Sequence, residues 1–89
     1  MRRVYNGVTM SERDRQFYQR IIELVDADPF QPFDIRTSHG RAYMVDSPEF
    51  FARSRTGDVV TYFTPEDDRA VTIRVAHIVS IEVANRPAA

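Results

Sequence analysis

Two histidines, His39 and His77, are the side chains of this chain best suited to moving a proton near neutral pH. His39 sits in Ser38-His39-Gly40-Arg41, a hairpin signal, and His77 in Ala76-His77-Ile78, inside a long β-forming run. Beside Glu82 or Asp46, His77 has the makings of a general base. The competing reading, and the one adopted, is an imidazole that satisfies the backbone of a turn. A metal centre using both histidines requires two separate turns to converge beside a carboxylate, and their spacing points to no such meeting. Glu66, Asp67 and Asp68 lack the ligand spacing of a calcium loop and read as a solvated acidic turn. The chain has no cysteine, hence no thiolate nucleophile and no disulfide framework. It also lacks a G-x-S-x-G elbow, a phosphate loop and an H-E-x-x-H pair. The expectation is a non-enzymatic protein with no catalytic residue, no metal and no cofactor.

Anion recognition is the second chemistry to weigh. Twelve basic residues face 13 acidic ones, and every basic residue is arginine. The guanidinium fork suits phosphate and carboxylate, although GC-rich coding is the simpler source of arginine-only usage. Over Arg36–Gly57 the residues Arg36, Arg41, Arg53 and Arg55 outnumber Asp46 and Glu49. Tyr43, Phe51 and Tyr62 offer stacking faces nearby, as single-strand binders use. A single-stranded RNA binder contacting through Arg36, Arg41, Tyr43, Arg53, Arg55 and Tyr62 is therefore the alternative function. Against it stand the near-neutral balance and the acidic run of Asp58, Glu66, Asp67 and Asp68. A binding or scaffold module acting through protein–protein contacts and self-association needs the fewest special residues and ranks first.

These side chains need elements to carry them. Ser11 caps a helix running to about Asp26, with Glu12 and Asp14 in its first turn. Phe17, Tyr18, Ile21, Ile22, Leu24 and Val25 form one broad apolar stripe, which should lie on a sheet or close a barrel end. Pro29 stops the helix, and Phe30 and Phe33 plug the seam between helix and sheet. From Phe33 the period becomes two: Phe33, Ile35 and Thr37 face one way, Asp34, Arg36 and Ser38 the other. Gly40 turns the hairpin into a return strand, Ala42–Asp46. Ser47-Pro48-Glu49 reads as a cap opening a single helical turn, Pro48–Phe51, before the chain extends again over Ala52–Ser54. Arg55–Asp58 is a turn, Val59–Thr64 a strand, and Pro65–Asp68 an acidic hairpin loop.

Arg69–Ala84 dominates the rest. Val71, Ile73, Val75, Val79, Ile81 and Val83 occupy its odd positions, which predicts one buried and one wet face. At about 3.3 Å per residue, one strand this long would span roughly 50 Å. A domain of this size has a radius of gyration of about 12 Å. The run must therefore break, and Ala76-His77-Ile78 is where the alternation fails. The predicted fold is α+β and mainly β: an N-terminal amphipathic helix followed by a strongly bent, five-stranded antiparallel small barrel. Residues 11–84 form this single domain, between a flexible tail over 1–10 and a patternless one over 85–89.

A helix, a bent five-stranded sheet and a VTIRV-AHI-VSIEV ending resemble the Sm-like and SH3-like small barrels over roughly Asp26–Val83. Sm-like proteins form rings by pairing the fourth strand of one subunit with the fifth of the next. The resemblance therefore implies an oligomer edge at Val71, Ile73 and Val75 and at Val79, Ile81 and Val83. Locally, PFQPFDIRTSHGRAYMVDSPEF resembles a group of short uncharacterised bacterial proteins with the pattern PFxPFxI, GRxYxV, PEF. Pro29, Phe30, Pro32, Phe33, Ile35, Gly40, Arg41, Tyr43, Val45, Pro48, Glu49 and Phe50 carry it. Where that group often has Asp-Gly in the hairpin, this chain has His39-Gly40. The likeness supports the element order and implies no mechanism.

The 43% hydrophobic and 11% aromatic content supports one packed core in 89 residues. A domain this small keeps little net stability, and association would reinforce it. A second copy or another protein is the expected partner, with weak single-stranded RNA binding as the alternative. No apolar run approaches the roughly 18 residues of a membrane span, and MRRVYNGVTM lacks the apolar core of a signal peptide. No membrane contact and a cytoplasmic location are expected.

Overall fold

A computed structural model describes residues 11–53, 57–64 and 69–88, without the side chains of Phe50 and Arg53. The expected N-terminal tail, Arg55 and the acidic loop carrying Glu66, Asp67 and Asp68 lie outside the described residues. Among the described residues one helix, α1 (Glu12–Val25), precedes six strands: β1 (Phe33–Thr37), β2 (Ala42–Val45), β3 (Phe51–Arg53), β4 (Val59–Phe63), β5 (Ala70–Arg74) and β6 (Ile78–Val83). They form two three-stranded antiparallel sheets, ordered β2-β1-β6 and β3-β4-β5. This corrects the five-stranded closed barrel. A 3₁₀ turn at Pro48–Phe50 splits one bent strand into β2 and β3, and among the described residues no ladder joins the two sheets. Instead the chain crosses from sheet to sheet at two corners, Pro48–Phe50 and a second 3₁₀ turn at Val75–His77.

The helix starts where its cap requires. The Ser11 hydroxyl oxygen accepts the Asp14 amide at 3.1 Å, and Glu12 pairs with Arg15 one turn on. Its apolar stripe is half-buried at Phe17, Tyr18 and Val25 and fully covered at Ile21 and Leu24. Each of those two side chains contributes about 1.5–3 kcal/mol by leaving water. The stripe meets Phe33 and Ile35 of β1, Val45 of β2, Val60 and Tyr62 of β4 and Ile73 of β5 in one core. Phe33 packs between Phe30 at 6.2 Å and Phe51 at 6.3 Å, so the two connector phenylalanines do fill the seam.

Burial along β1 follows the predicted alternation, with Phe33, Ile35 and Thr37 inside and Arg36 exposed. The C-terminal run breaks as expected, one residue earlier than the alternation indicated. Its second half departs from the odd-inside rule. Arg36 lies opposite Ser80 and Thr37 opposite Ile78, so Val79 is an extra residue in β6, a bulge. Ile78 is therefore fully buried, whereas Val79 is 52% and Val83 50% exposed.

Ala84 and Arg86, beyond β6, bond back to the sheet. The Ala84 amide donates to the Pro32 carbonyl at 2.8 Å, and Gln31 Nε2 donates to the Ala84 carbonyl at 2.6 Å. Arg86 then bridges Asp34 of β1, at 2.9 Å, and Asp46 beyond β2. The hydrogen bond that Arg86 donates to Asp34 is the main cause that raises the Arg86 pKa; partial burial opposes it and Asp46 adds to it.

Candidate functional site

The corner at Val75–His77 gathers most of the features a binding protein could use. Its two ends are anchored in the core, Val75 at 1% and Ile78 at 0% exposure. No side chain caps it. Hydrogen bonds with three other segments hold it instead. The Val75 amide donates to the Asp58 carbonyl at 3.0 Å, and the Ser38 amide donates to the His77 carbonyl at 2.8 Å. The Arg13 guanidinium donates to the Ile78 carbonyl, while lying 4.6 Å from the centre of the Phe17 ring.

On either side of this corner lie two strands with free edges. Among the described residues, β5 pairs only with β4, and β6 only with β1. The residues expected to form an oligomer edge divide between these strands. Val71, Ile73 and Val75 face the core from β5 and the corner, and Ile81 is half-buried against Ile35 in β6. Val79 and Val83 stand out at the β6 edge. Neither strand contains proline, and the chain has no lysine, the residues that commonly blunt such edges.

The same corner meets the β1–β2 hairpin. Thr37 donates its amide to Arg41 at 2.9 Å, and Gly40, at φ +82°, closes the turn that carries His39. The hairpin bond from Ser38 to His77 brings the imidazoles edge to face, with ring centres 4.9 Å apart. The two histidine-bearing turns therefore do converge, which their sequence spacing had not suggested. Thr37, His39, Tyr43, Thr72, Ile73, Arg74 and His77 line an open cavity of about 310 Å³ there. Among the described residues no carboxylate joins them. Asp46 is bound to Arg86 and Glu82 lies 3.6 Å from Arg36, so neither carboxylate partner considered for His77 is spent on it. Among the described residues no three potential metal-ligating side chains cluster.

The residues considered for RNA do not form one surface. Tyr62 is 6% exposed, packs 5.5 Å from Tyr43 and donates its hydroxyl to the Met44 carbonyl at 2.8 Å. It bridges the two sheets from inside and offers no stacking face. Arg36 is paired with Glu82 on the outer face of its sheet, and Arg41 is exposed beside the hairpin. Arg55 and the side chain of Arg53 lie outside the described residues. A short sequence distance separates Tyr43 from Met44 and none of it marks Tyr62 as their partner. Alternation along β4 does place Tyr62 inside with Val60.

Among the described residues, no helix is long and apolar enough to cross a membrane. The chain matches no family model, no curated protein and no solved structure.

Proposed function

We propose that this domain is a non-enzymatic binding and scaffold module whose first partner is another copy of itself, joined edge to edge from β5 of one subunit to β6 of the next. The observation that carries this reading is the corner at Val75–His77: consecutive strands on either side of it are the outer edges of two different sheets. A contact between unlike edges is heterologous, so it propagates from subunit to subunit and closes into a ring when the rotation allows. Each union would satisfy backbone groups that the edges otherwise leave to water. It would also cover Val79 and Val83, each about half exposed in the single chain.

The small-barrel resemblance fits the same reading. With the turn at Pro48–Phe50 counted as a bend, β2 and β3 become one strand, and a helix plus five strands with a 3₁₀ break before the last remains. That is the order on which the Sm-like likeness rests. The RNA reading is weaker, because Tyr62 is inside and Arg36 is already paired.

Light scattering on the full chain at micromolar concentration tests the proposal. A mass of several chains is expected, falling to that of one chain in Val79→Lys and Val83→Lys, which place a charge on the β6 edge. A single-chain mass for the unaltered protein would remove the edge-to-edge model.

A further inference from the structure

The cavity between the hairpin and the second corner has a composition that the scaffold role does not use. Three nitrogen-bearing heads, His39, His77 and Arg74, line it together with the hydroxyl-bearing Tyr43 and Thr72 and with Thr37, whose hydroxyl already donates to the Arg41 carbonyl, and no acid is among its described walls. Arg74 has no ion-pair partner among the described residues, in contrast to Arg13, Arg15, Arg36 and Arg86, each paired with a carboxylate. A guanidinium at a concave site without a counter-charge is poised for an incoming anion. The same guanidinium repels a metal cation, and two imidazoles alone make an incomplete ligand set.

We propose that this cavity binds a small phosphate monoester. Its donor set exceeds what a carboxylate can absorb: the guanidinium fork, imidazole nitrogens and hydroxyls together match the three terminal oxygens of a phosphoryl group. The volume of about 310 Å³ is at the lower end for small-molecule sites and leaves room beyond the phosphate for the group that carries it. Tyr43 and Ile73 supply the less polar wall against which a sugar ring would lie. The Ser38–His77 backbone bond holds the two histidine-bearing turns together before any ligand arrives, so only side-chain ordering is left to the binding step.

The test is an amide-resolved NMR titration of the full chain, at constant ionic strength, with inorganic phosphate and with ribose 5-phosphate. Saturable shifts are expected at Thr37, His39, Arg74 and His77, with ribose 5-phosphate the tighter of the two. Arg74→Gln and His39→Gln should each weaken binding about tenfold, the loss of one charge-assisted contact. Arg20→Gln, on the exposed side of α1, should leave it unchanged. His39 is exposed at a hairpin tip, so its variant keeps the fold and remains informative if a change at the corner does not. Unsaturated shifts spread over all arginines, or equal binding in Arg74→Gln, would overturn the assignment. So would saturable zinc binding without phosphate binding, or response to a 5′-phosphorylated RNA oligonucleotide but not to ribose 5-phosphate.

Discussion

The chain changes sheets twice, and its two corners are held by different means. At Pro48–Phe50 the cap is local: Ser47 Oγ accepts the Glu49 amide at 3.3 Å, and Pro48 supplies a pre-set φ at the first position. At Val75–His77 there is no side-chain cap, and the turn is secured by Asp58, Ser38 and Arg13 from outside and by Val75 and Ile78 from within. The first corner is written in adjacent residues. The second exists only when four segments are already in place, so it should fold and fail with the whole core.

Substitutions should separate the two. Ile78→Ala empties a fully buried position beside the second corner and should cost about 3 kcal/mol. Urea unfolding measures it, and a cost no greater than that of a surface change would break the contrast. Gly57→Ala comes next, at about 2 kcal/mol. Gly57 has φ +82°, and a Cβ there would lie 3.1–3.3 Å from the Tyr18 ring, next to the Asp58 carbonyl that holds Val75. Gly40 has the same φ with nothing near, so Gly40→Ala should cost less, about 1 kcal/mol, in the same assay. Arg13→Ala removes a partly exposed donor from the Ile78 carbonyl and should cost about 1 kcal/mol. Ser47→Ala should be mildest, about 0.5 kcal/mol by thermal unfolding, because only an exposed local cap is lost.

That difference also explains what could be read ahead of the structure. Ser47-Pro48-Glu49 announced the first corner, Ser11 the helix start and the Phe33–Thr37 alternation its buried face, each through neighbours a few residues apart. The second corner was visible as a fault in the alternation, which placed the break within one residue. Closure failed as an expectation because pattern counts apolar positions and does not show whether edges meet. The Val79 bulge depends on register with β1 across some forty residues, and so the exposure of Val79 and Val83 was hidden. Arg86 looked idle because its partners, Asp34 and Asp46, lie far back in the chain. The His39–His77 meeting is of the same kind: a hairpin tip and a corner joined by one backbone bond that neither segment encodes alone.

Hydrogen exchange resolved by residue, recorded at low and high protein concentration, addresses the edge-to-edge proposal most directly. The edge amides of β5 and β6 that bond neither β4 nor β1 should exchange more slowly as concentration rises, while those of β2 and β3 should not change. Protection independent of concentration along β5 and β6, or gained instead at β2 and β3, would contradict it.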